Sequence, residues 1–345
     1  MDRGRHGRSS RVAGREGRYN LRAVPADLKP VPGALRAGLV RGIATAWFLV
    51  KIIVPLSAAV ALLDWTGILA AIGRVLSPVM GLFGLPGEAA VALVSGFFAG
   101  VYGGVAAAAA LPLTPAQVTI VAIIVLTAHN LVVESTVQSR SGTSGLAVTG
   151  VRLVTAFLLG AAVWQVIRWE ETGPAMVRGA AASACDLPFW TFAAAWAAGA
   201  GALILKIFLI VAGLMIVTEL MRAYGLFQAL ERPMRPIMRL MGLSERVTFL
   251  WLTAAFLGIA YGAGLIVQEA RENGRYQPGD LRDLHVSTGI SHSLLEDTLL
   301  FVAIGAHPLW ILIPRPFAAA AAVRLARPLV PVRPVGGTAR GEVGH

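Results

Sequence analysis

Two short stretches of this chain repeat each other: residues 128–134 read Ala-His-Asn-Leu-Val-Val-Glu, and residues 291–297 read Ser-His-Ser-Leu-Leu-Glu-Asp. Each places a histidine and at least one carboxylate in an apolar background. Earlier matches follow in the same order in both halves: residues 49–53 with 205–207, 84–88 with 242–245, 100–104 with 258–262 and 113–115 with 276–278. Ordered matches of this kind indicate two copies of one structural unit.

The composition around these stretches is that of a membrane protein. Of 345 residues, 56% are hydrophobic and 14% are charged. A helix needs about 20 mostly apolar residues to cross a bilayer, and runs of that length recur along the chain. The predicted spans are residues 44–63, 117–133, 146–167, 192–217, 247–267 and 309–325, with 285–303 as a more polar seventh. The sequence therefore predicts an all-α polytopic membrane protein without a soluble catalytic domain.

The charge pattern predicts the domain organisation and the orientation. The net charge is +11, and much of it lies in the first 41 residues. Lys and Arg beside a first span hold that end in the cytoplasm, so we expect a multi-pass protein of the bacterial inner membrane with both termini inside. The predicted parts are a disordered basic tail (1–38), a first repeat (39–168), a linker (169–189), a second repeat (190–328) and a C-terminal tail (329–345).

Each repeat is predicted to contain a long first span, an amphipathic helix (68–83 or 226–241), a Gly-rich segment (89–110 or 247–267), a polar-ended span and a last span. The Gly-rich segments either cross the bilayer or re-enter it as hairpins. Equivalent loops differ sharply in arginine content, which indicates that they face opposite sides. Hairpins would give three crossings per unit and inverted repeats, whereas full crossings would leave this asymmetry unexplained. We therefore expect inverted repeats.

Ionisable residues at membrane depth mark the predicted site. Burying such a group near the bilayer centre costs at least about 2.5 kcal/mol, so it usually faces a cavity, a partner or a substrate. On a continuous helix, His285, His292 and Glu296 would share one face, and they are the candidate ligands if the site holds a metal. The predicted substrate or ion pathway comprises His129, Asn130, Glu134, His285, His292, Ser293, Glu296 and Asp297.

Three interpretations of these residues stay open. The polar groups can hydrogen-bond across helices and lock the two units together. They can form a substrate site or proton relay, since histidine titrates near neutral pH. They can also ligate a transition metal, although the spacing is not a specific metal signature.

The paired polar segments, each after a Gly-rich stretch, resemble the nucleoside recognition or Gate domain over roughly residues 44–325. Gate domains occur in concentrative nucleoside transporters, in ferrous-iron transport protein B and in spore maturation membrane proteins. The segment Ile290–Thr298 is most similar to stand-alone double-Gate proteins. The resemblance implies membrane transport. The chain has no Gly-x-x-x-x-Gly-Lys-Ser/Thr run, so it carries no GTP-binding module of that type.

The sequence thus predicts a transporter or permease for a small polar solute, nucleoside-like or a metal ion. The alternative is a non-transporting membrane scaffold or regulatory subunit. An enzyme is disfavoured because no nucleophile motif accompanies the histidines. The expected partners are the lipid bilayer, an unidentified solute or ion and further copies of the chain, with no nucleic acid and no cofactor. Cys185 is the single cysteine, which excludes a disulfide within one chain.

Overall fold

The computed structural model describes residues 31–168, 187–256 and 276–332. In these ranges the chain forms helices and no β-strand, apart from an isolated bridge between Thr143 and Val332. The all-α prediction is confirmed. The helices are α1 (Val31–Trp65), α2 (Ile68–Met80), α3 (Ala89–Ala109), α4 (Pro115–Ala128), α5 (Leu131–Arg140), α6 (Gly145–Ile167), α7 (Phe189–Ala223), α8 (Leu226–Leu240), α9 (residues 248–256), α10 (Pro278–Ile290), α11 (Glu296–Val302), α12 (Pro308–Leu312) and α13 (Pro314–Ala326).

Among the described residues, six helical stretches are long and apolar enough to cross a membrane: α1, α3, α4 with α5, α6, α7, and α12 with α13. The polytopic prediction is therefore confirmed. Helix α1 begins at Val31, inside the segment predicted as a disordered tail. Residues 1–30, most of the predicted linker and residues 333–345 lie outside the described ranges.

The first Gly-rich segment, α3, folds back on itself at Gly100. This glycine has φ 81° and ψ −175°, which interrupts the helix. A Cβ atom on Gly104 would lie 3.3 Å from the Cα atom of Gly96. Eight residues of straight helix span about 12 Å, so the two arms of α3 pack side by side. Helix α3 is thus a re-entrant hairpin. Its counterpart, predicted at 247–267, is described only as far as residue 256.

Equivalent helices of the two repeats run in opposite directions. Near the start of α1, a Cβ atom on Gly38 would lie 2.6 Å from the Cα atom of Ile216, near the end of α7. At the other end, the ring of Trp65 lies 5.3 Å from that of Phe189, where α7 begins. Since α1 and α7 are the first spans of their repeats, this antiparallel packing supports the inverted arrangement.

Both ends of the described membrane region lie on one face. The start of α1 packs beside the end of α7, which leads directly into α8. The carbonyl oxygen of Leu240, at the end of α8, accepts a 2.5 Å hydrogen bond from Arg324 near the end of α13. On the opposite face, Gln117 at the start of α4 donates to the carbonyl oxygen of Gly84. Near the start of α10, Asp283 lies 3.0 Å from Arg327, which follows α13, so α4 and α10 enter from opposite faces.

This arrangement predicts the labelling of two exposed loop residues. In a Cys185→Ser background, Pro112→Cys, which precedes α4, and Gln277→Cys, which precedes α10, should react with a membrane-impermeant maleimide from opposite sides of the membrane. Labelling of both from the same side would contradict inverted repeats. Reaction after permeabilisation provides the control for each cysteine.

Candidate functional site

Two helix breaks face each other inside the protein. Helix α4 ends at Ala128 and α5 begins at Leu131, while α10 ends at Ile290 and α11 begins at Glu296. Asn130 and Ser293, at equivalent repeat positions, have φ 51° and 49°, and they are the non-glycine residues with positive φ in the described ranges. This backbone conformation is rare for residues with a Cβ atom and is stable only where the surroundings fix it.

The backbone groups freed by each break find partners on the Gly-rich helices. The amide of Asn130 donates to the carbonyl oxygen of Gly96 at 3.3 Å, and the amide of Ser293 donates to the carbonyl oxygen of Ala254 at 3.2 Å. A backbone group left unpaired at membrane depth costs several kcal/mol. Each unit therefore stabilises its break in the same way, by hydrogen-bonding the freed backbone amide to the preceding Gly-rich helix.

Two fully buried arginines bind the free carbonyl groups of the breaks. Arg152 of α6 donates to the carbonyl oxygens of Thr127 and His129 at 3.1 and 2.8 Å. Arg315 of α13 donates in the same pattern to the carbonyl oxygens of Ile290 and His292, at 3.3 and 3.2 Å. It also crosses to the other unit and donates to the carbonyl oxygen of Leu126 at 3.0 Å. Each arginine thus binds the break of its own unit, and Arg315 also joins the two units.

Four buried side chains meet between the breaks, and we call His129, Glu134, His292 and Asp297 the central cluster. The imidazole rings lie 4.7 Å apart. The Nε2 atoms of both histidines lie 3.7 Å from Oε1 of Glu134, and Nε2 of His129 lies 3.8 Å from Oδ2 of Asp297. The other carboxylate oxygen of Glu134 lies 2.7 Å from Nη1 of Arg152. Each unit contributes one histidine, one acid and one arginine.

The cluster has an approximate two-fold relation that is visible in the numbering. The same number of residues separates His129 from His292, Glu134 from Asp297 and Arg152 from Arg315. The hydrogen bonds of the two arginines follow the same spacing. The site is therefore built where the two repeats meet, with equivalent residues on either side.

Four predicted site residues lie outside the cluster, and two of them, His285 and Glu296, form separate contacts. Nε2 of His285 is 2.7 Å from the hydroxyl oxygen of Ser141. Glu296 accepts a 2.5 Å hydrogen bond from the hydroxyl of Tyr102 on the α3 hairpin. Asn130 and Ser293 form the breaks themselves. The predicted pathway residues thus separate into the four of the cluster, the two at the breaks and two outer pairs.

The predicted stripe of His285, His292 and Glu296 on one helical face is not formed. The helix ends at Ile290, so the residues after it follow a different axis. For the same reason Glu134 and Asp297, which would point away from the histidines on continuous helices, face them instead. His285, His292 and Glu296 therefore contact different partners and do not form one set of metal ligands.

Arg152, Arg315 and Tyr102 were not identified as site residues from the sequence. A signal for the arginines was present: Arg152 is the lone charge in the predicted span 146–167, and Arg315 lies inside the predicted span 309–325, whose other charge, Arg324, is near its end. Charged residues inside membrane spans are functional candidates. Arg152 follows His129 by the same number of residues as Arg315 follows His292, which would have identified the two arginines as equivalent residues of the repeats. Tyr102 gave no such signal, because it belongs to a Gly-rich segment in which aromatic residues also serve packing.

The family model for Gate, described as nucleoside recognition, matches residues 46–140 and 204–308. Together these regions cover more than half of the chain. The chain belongs to the Gate family. Each Gate region contains one of the helix breaks with its histidine and acid, whereas Arg152 and Arg315 follow just after the regions.

A curated relative supports the same assignment for the whole membrane part. The uncharacterized membrane protein YvoD of Bacillus subtilis is 33% identical over 279 residues, which is 80% of this chain and 88% of YvoD. No solved structure matches this Gate protein significantly. The double-Gate prediction is confirmed by the two matched regions.

Proposed function

We propose that this Gate protein is a transporter for a small polar solute, with the central cluster as its binding site. The observation that carries the proposal is the meeting of two helix breaks and their buried charged groups between inverted repeats. Transporters with inverted repeats bind their substrates near the bilayer midplane at the repeat interface, on discontinuous helices. Buried charges there are costly, and such groups commonly mark solute pathways.

The described conformation corresponds to an occluded state in this mechanism. Exposed fractions of the cluster residues are only 2–5%. A solute would enter after the two units rock apart on one side, and it would leave after they rock apart on the other. The antiparallel α1 and α7 form the long contact along which the units would move.

We further propose that the face carrying the start of α1 and the end of α13 is cytoplasmic, in an inner membrane. Lys and Arg accumulate on the inner side of membrane proteins. Arginines on this face include Arg36, Arg41, Arg222, Arg232, Arg235, Arg239, Arg246, Arg282, Arg324 and Arg327. The opposite face carries few, among them Arg74 and Arg168.

The alternative is a scaffold in which the cluster only joins the two units. The extensive hydrogen bonds of Arg152 and Arg315 to backbone carbonyl groups favour it, because they would stabilise a protein that never opens. The two functions differ in whether the cluster ever becomes accessible from both sides.

Cysteine accessibility at Ser293 tests the transport proposal. Ser293 is 5% exposed and lies at the centre of the second break. In a Cys185→Ser background, Ser293→Cys should react with a small impermeant thiol reagent when it is added to either side of separate vesicle samples. Leu146→Cys and Leu82→Cys, which are exposed near opposite faces, provide one-sided controls. Reaction of Ser293→Cys from one side only, or from neither, would contradict alternating access.

A further inference from the structure

The central cluster has the geometry of a metal site. One ligand atom each of His129, His292 and Asp297 lies within 4.8 Å of the others, and all three side chains are buried. Glu134 completes the set, since its Oε1 atom is 3.7 Å from both imidazole Nε2 atoms. These separations exceed hydrogen-bond distances, so the four ligand atoms lie close together without hydrogen-bonding one another.

The size of the gap suits a single ion. Metal–nitrogen and metal–oxygen bonds of about 2.0–2.2 Å in a tetrahedral site place the ligand atoms about 3.4 Å apart. Three ligand pairs are spaced at 3.7–3.8 Å, a few tenths of an ångström wider than this, and the histidine and aspartate ligand atoms all lie within 4.8 Å of one another, so side-chain rotation has to close the set around an ion.

A hydrogen bond from its Nδ1 atom orients the His292 ring so that Nε2 can bind a metal ion. Its Nδ1 atom lies 2.6 Å from the carbonyl oxygen of Thr288. A carbonyl oxygen only accepts, so Nδ1 carries the proton and the neutral ring presents its Nε2 lone pair to the cluster. Metal-binding histidines are commonly oriented in this way by a carbonyl group behind the ring.

Unpaired oxygens provide a second, independent observation. Oδ2 of Asp297 and Oε1 of Glu134 are buried and have no hydrogen-bond partner in the described part of the chain. Such atoms are rare in folded proteins, because an unpaired buried acceptor loses the hydrogen bonds that water would give it. A bound cation between the carboxylates and imidazoles would pair both atoms.

We infer that the central cluster binds one divalent first-row transition-metal ion, such as Mn²⁺, Fe²⁺, Co²⁺ or Zn²⁺, through His129, His292, Asp297 and Glu134. Two imidazoles with two carboxylates suit this class, whereas Mg²⁺ and Ca²⁺ prefer oxygen ligands alone and Cu⁺ prefers sulfur. Arg152 already pairs with Glu134 at 2.7 Å, and Arg315 adds a second buried positive charge next to the site, so both weaken the binding of a cation. Weak, reversible binding is what a transported ion requires. Only the assignment of the ion as cargo rests on the proposed transport function.

Equilibrium binding of Co²⁺ and Zn²⁺ to the purified, untagged full chain in detergent tests the site. We expect one ion per chain, competed by the other metal but not by Mg²⁺. His129→Ala and Asp297→Asn should weaken binding by more than about 100-fold, since changes even outside the first ligand shell cost 10–100-fold. The matched controls His285→Gln and Glu296→Gln should bind as the parent does.

Three results would overturn the site: no binding by the folded parent protein, equal binding by the cluster variants, or equal loss in the controls. Size-exclusion profiles and melting curves establish which variants are folded. If a variant is not folded, metal binding by the parent protein alone tests the site. Flux in proteoliposomes separates the two proposals. Metal binding without flux of any ion would support the metal site and contradict transport. Flux of another solute without metal binding would support transport and contradict the metal site.

Discussion

Replacing Arg152 with methionine is expected to lower the free energy of unfolding by about 3–5 kcal/mol, the usual effect of removing one partner of a buried ion pair. Arg152 is fully buried, contacts the carboxylate of Glu134 at 2.7 Å and binds two carbonyl groups of the first break. Methionine fills much of the space but leaves the carboxylate and both carbonyl groups unpaired. Thermal and denaturant unfolding in detergent would measure the change.

The double variant Arg152→Met with Glu134→Gln distinguishes charge from packing. Removing the unpaired carboxylate should recover part of the lost stability, because coupled residues are not additive. Arg74→Met, at an exposed position of α2, is the control and should change stability by less than about 0.5 kcal/mol. A loss below about 1 kcal/mol in Arg152→Met would show that the breaks do not depend on this arginine.

Replacing Gly42 with leucine is expected to destabilise the protein by about 1–3 kcal/mol, the usual cost of overpacking. Gly38, Gly42 and Ala46 recur every four residues on α1, and small residues at this spacing let membrane helices approach closely. A Cβ atom on Gly42 would lie 2.7 Å from the Cα atom of Ala212, so the backbone of α7 has to move. The melting temperature in detergent would measure the loss.

Gly213→Leu is the matched control for this change. Gly213 neighbours Ala212 on α7 but faces outward, where an added Cβ atom would meet no described atom within 4 Å. Leucine there should be tolerated, and the greater helix propensity of leucine favours it slightly. Equal destabilisation by the two leucines would show that close packing of α1 against α7 does not explain the glycine at position 42.

The fold could be predicted from the sequence to the extent that it depends on contiguous segments. Long apolar runs predicted five of the six membrane-length stretches in the described ranges, whereas α3 was predicted only as a Gly-rich segment. The predicted span 285–303 is interrupted between α10 and α11. Ordered matches indicated the two repeats. The re-entrant hairpin remained one of two alternatives, because glycines such as Gly96 and Gly104 suit both a hairpin and close packing of crossing helices. The turn depends on the backbone angles of Gly100, which the glycine-rich composition alone does not determine.

The site was predicted by residue type but not by geometry. On a continuous helix Glu134 would point about 140° away from His129. The left-handed conformation at Asn130 redirects the chain and brings both groups to one point. Asparagine adopts this conformation more readily than most residues, but Ser293 takes the same role without that preference. Contacts across the units, such as that of Arg315 with Leu126, depend on tertiary packing and leave no local pattern.

The near-symmetry of the cluster has a consequence for the resting state of the proposed transporter. If the two inverted units were identical, the inward-facing and outward-facing forms would differ only by exchanging units, and they would have equal free energies within a symmetric bilayer. Any preference must come from places where the repeats differ. Glu134 and Asp297 differ by one methylene group at the centre. In the proposed transporter, that difference would be one source of a preference for facing one side of the membrane.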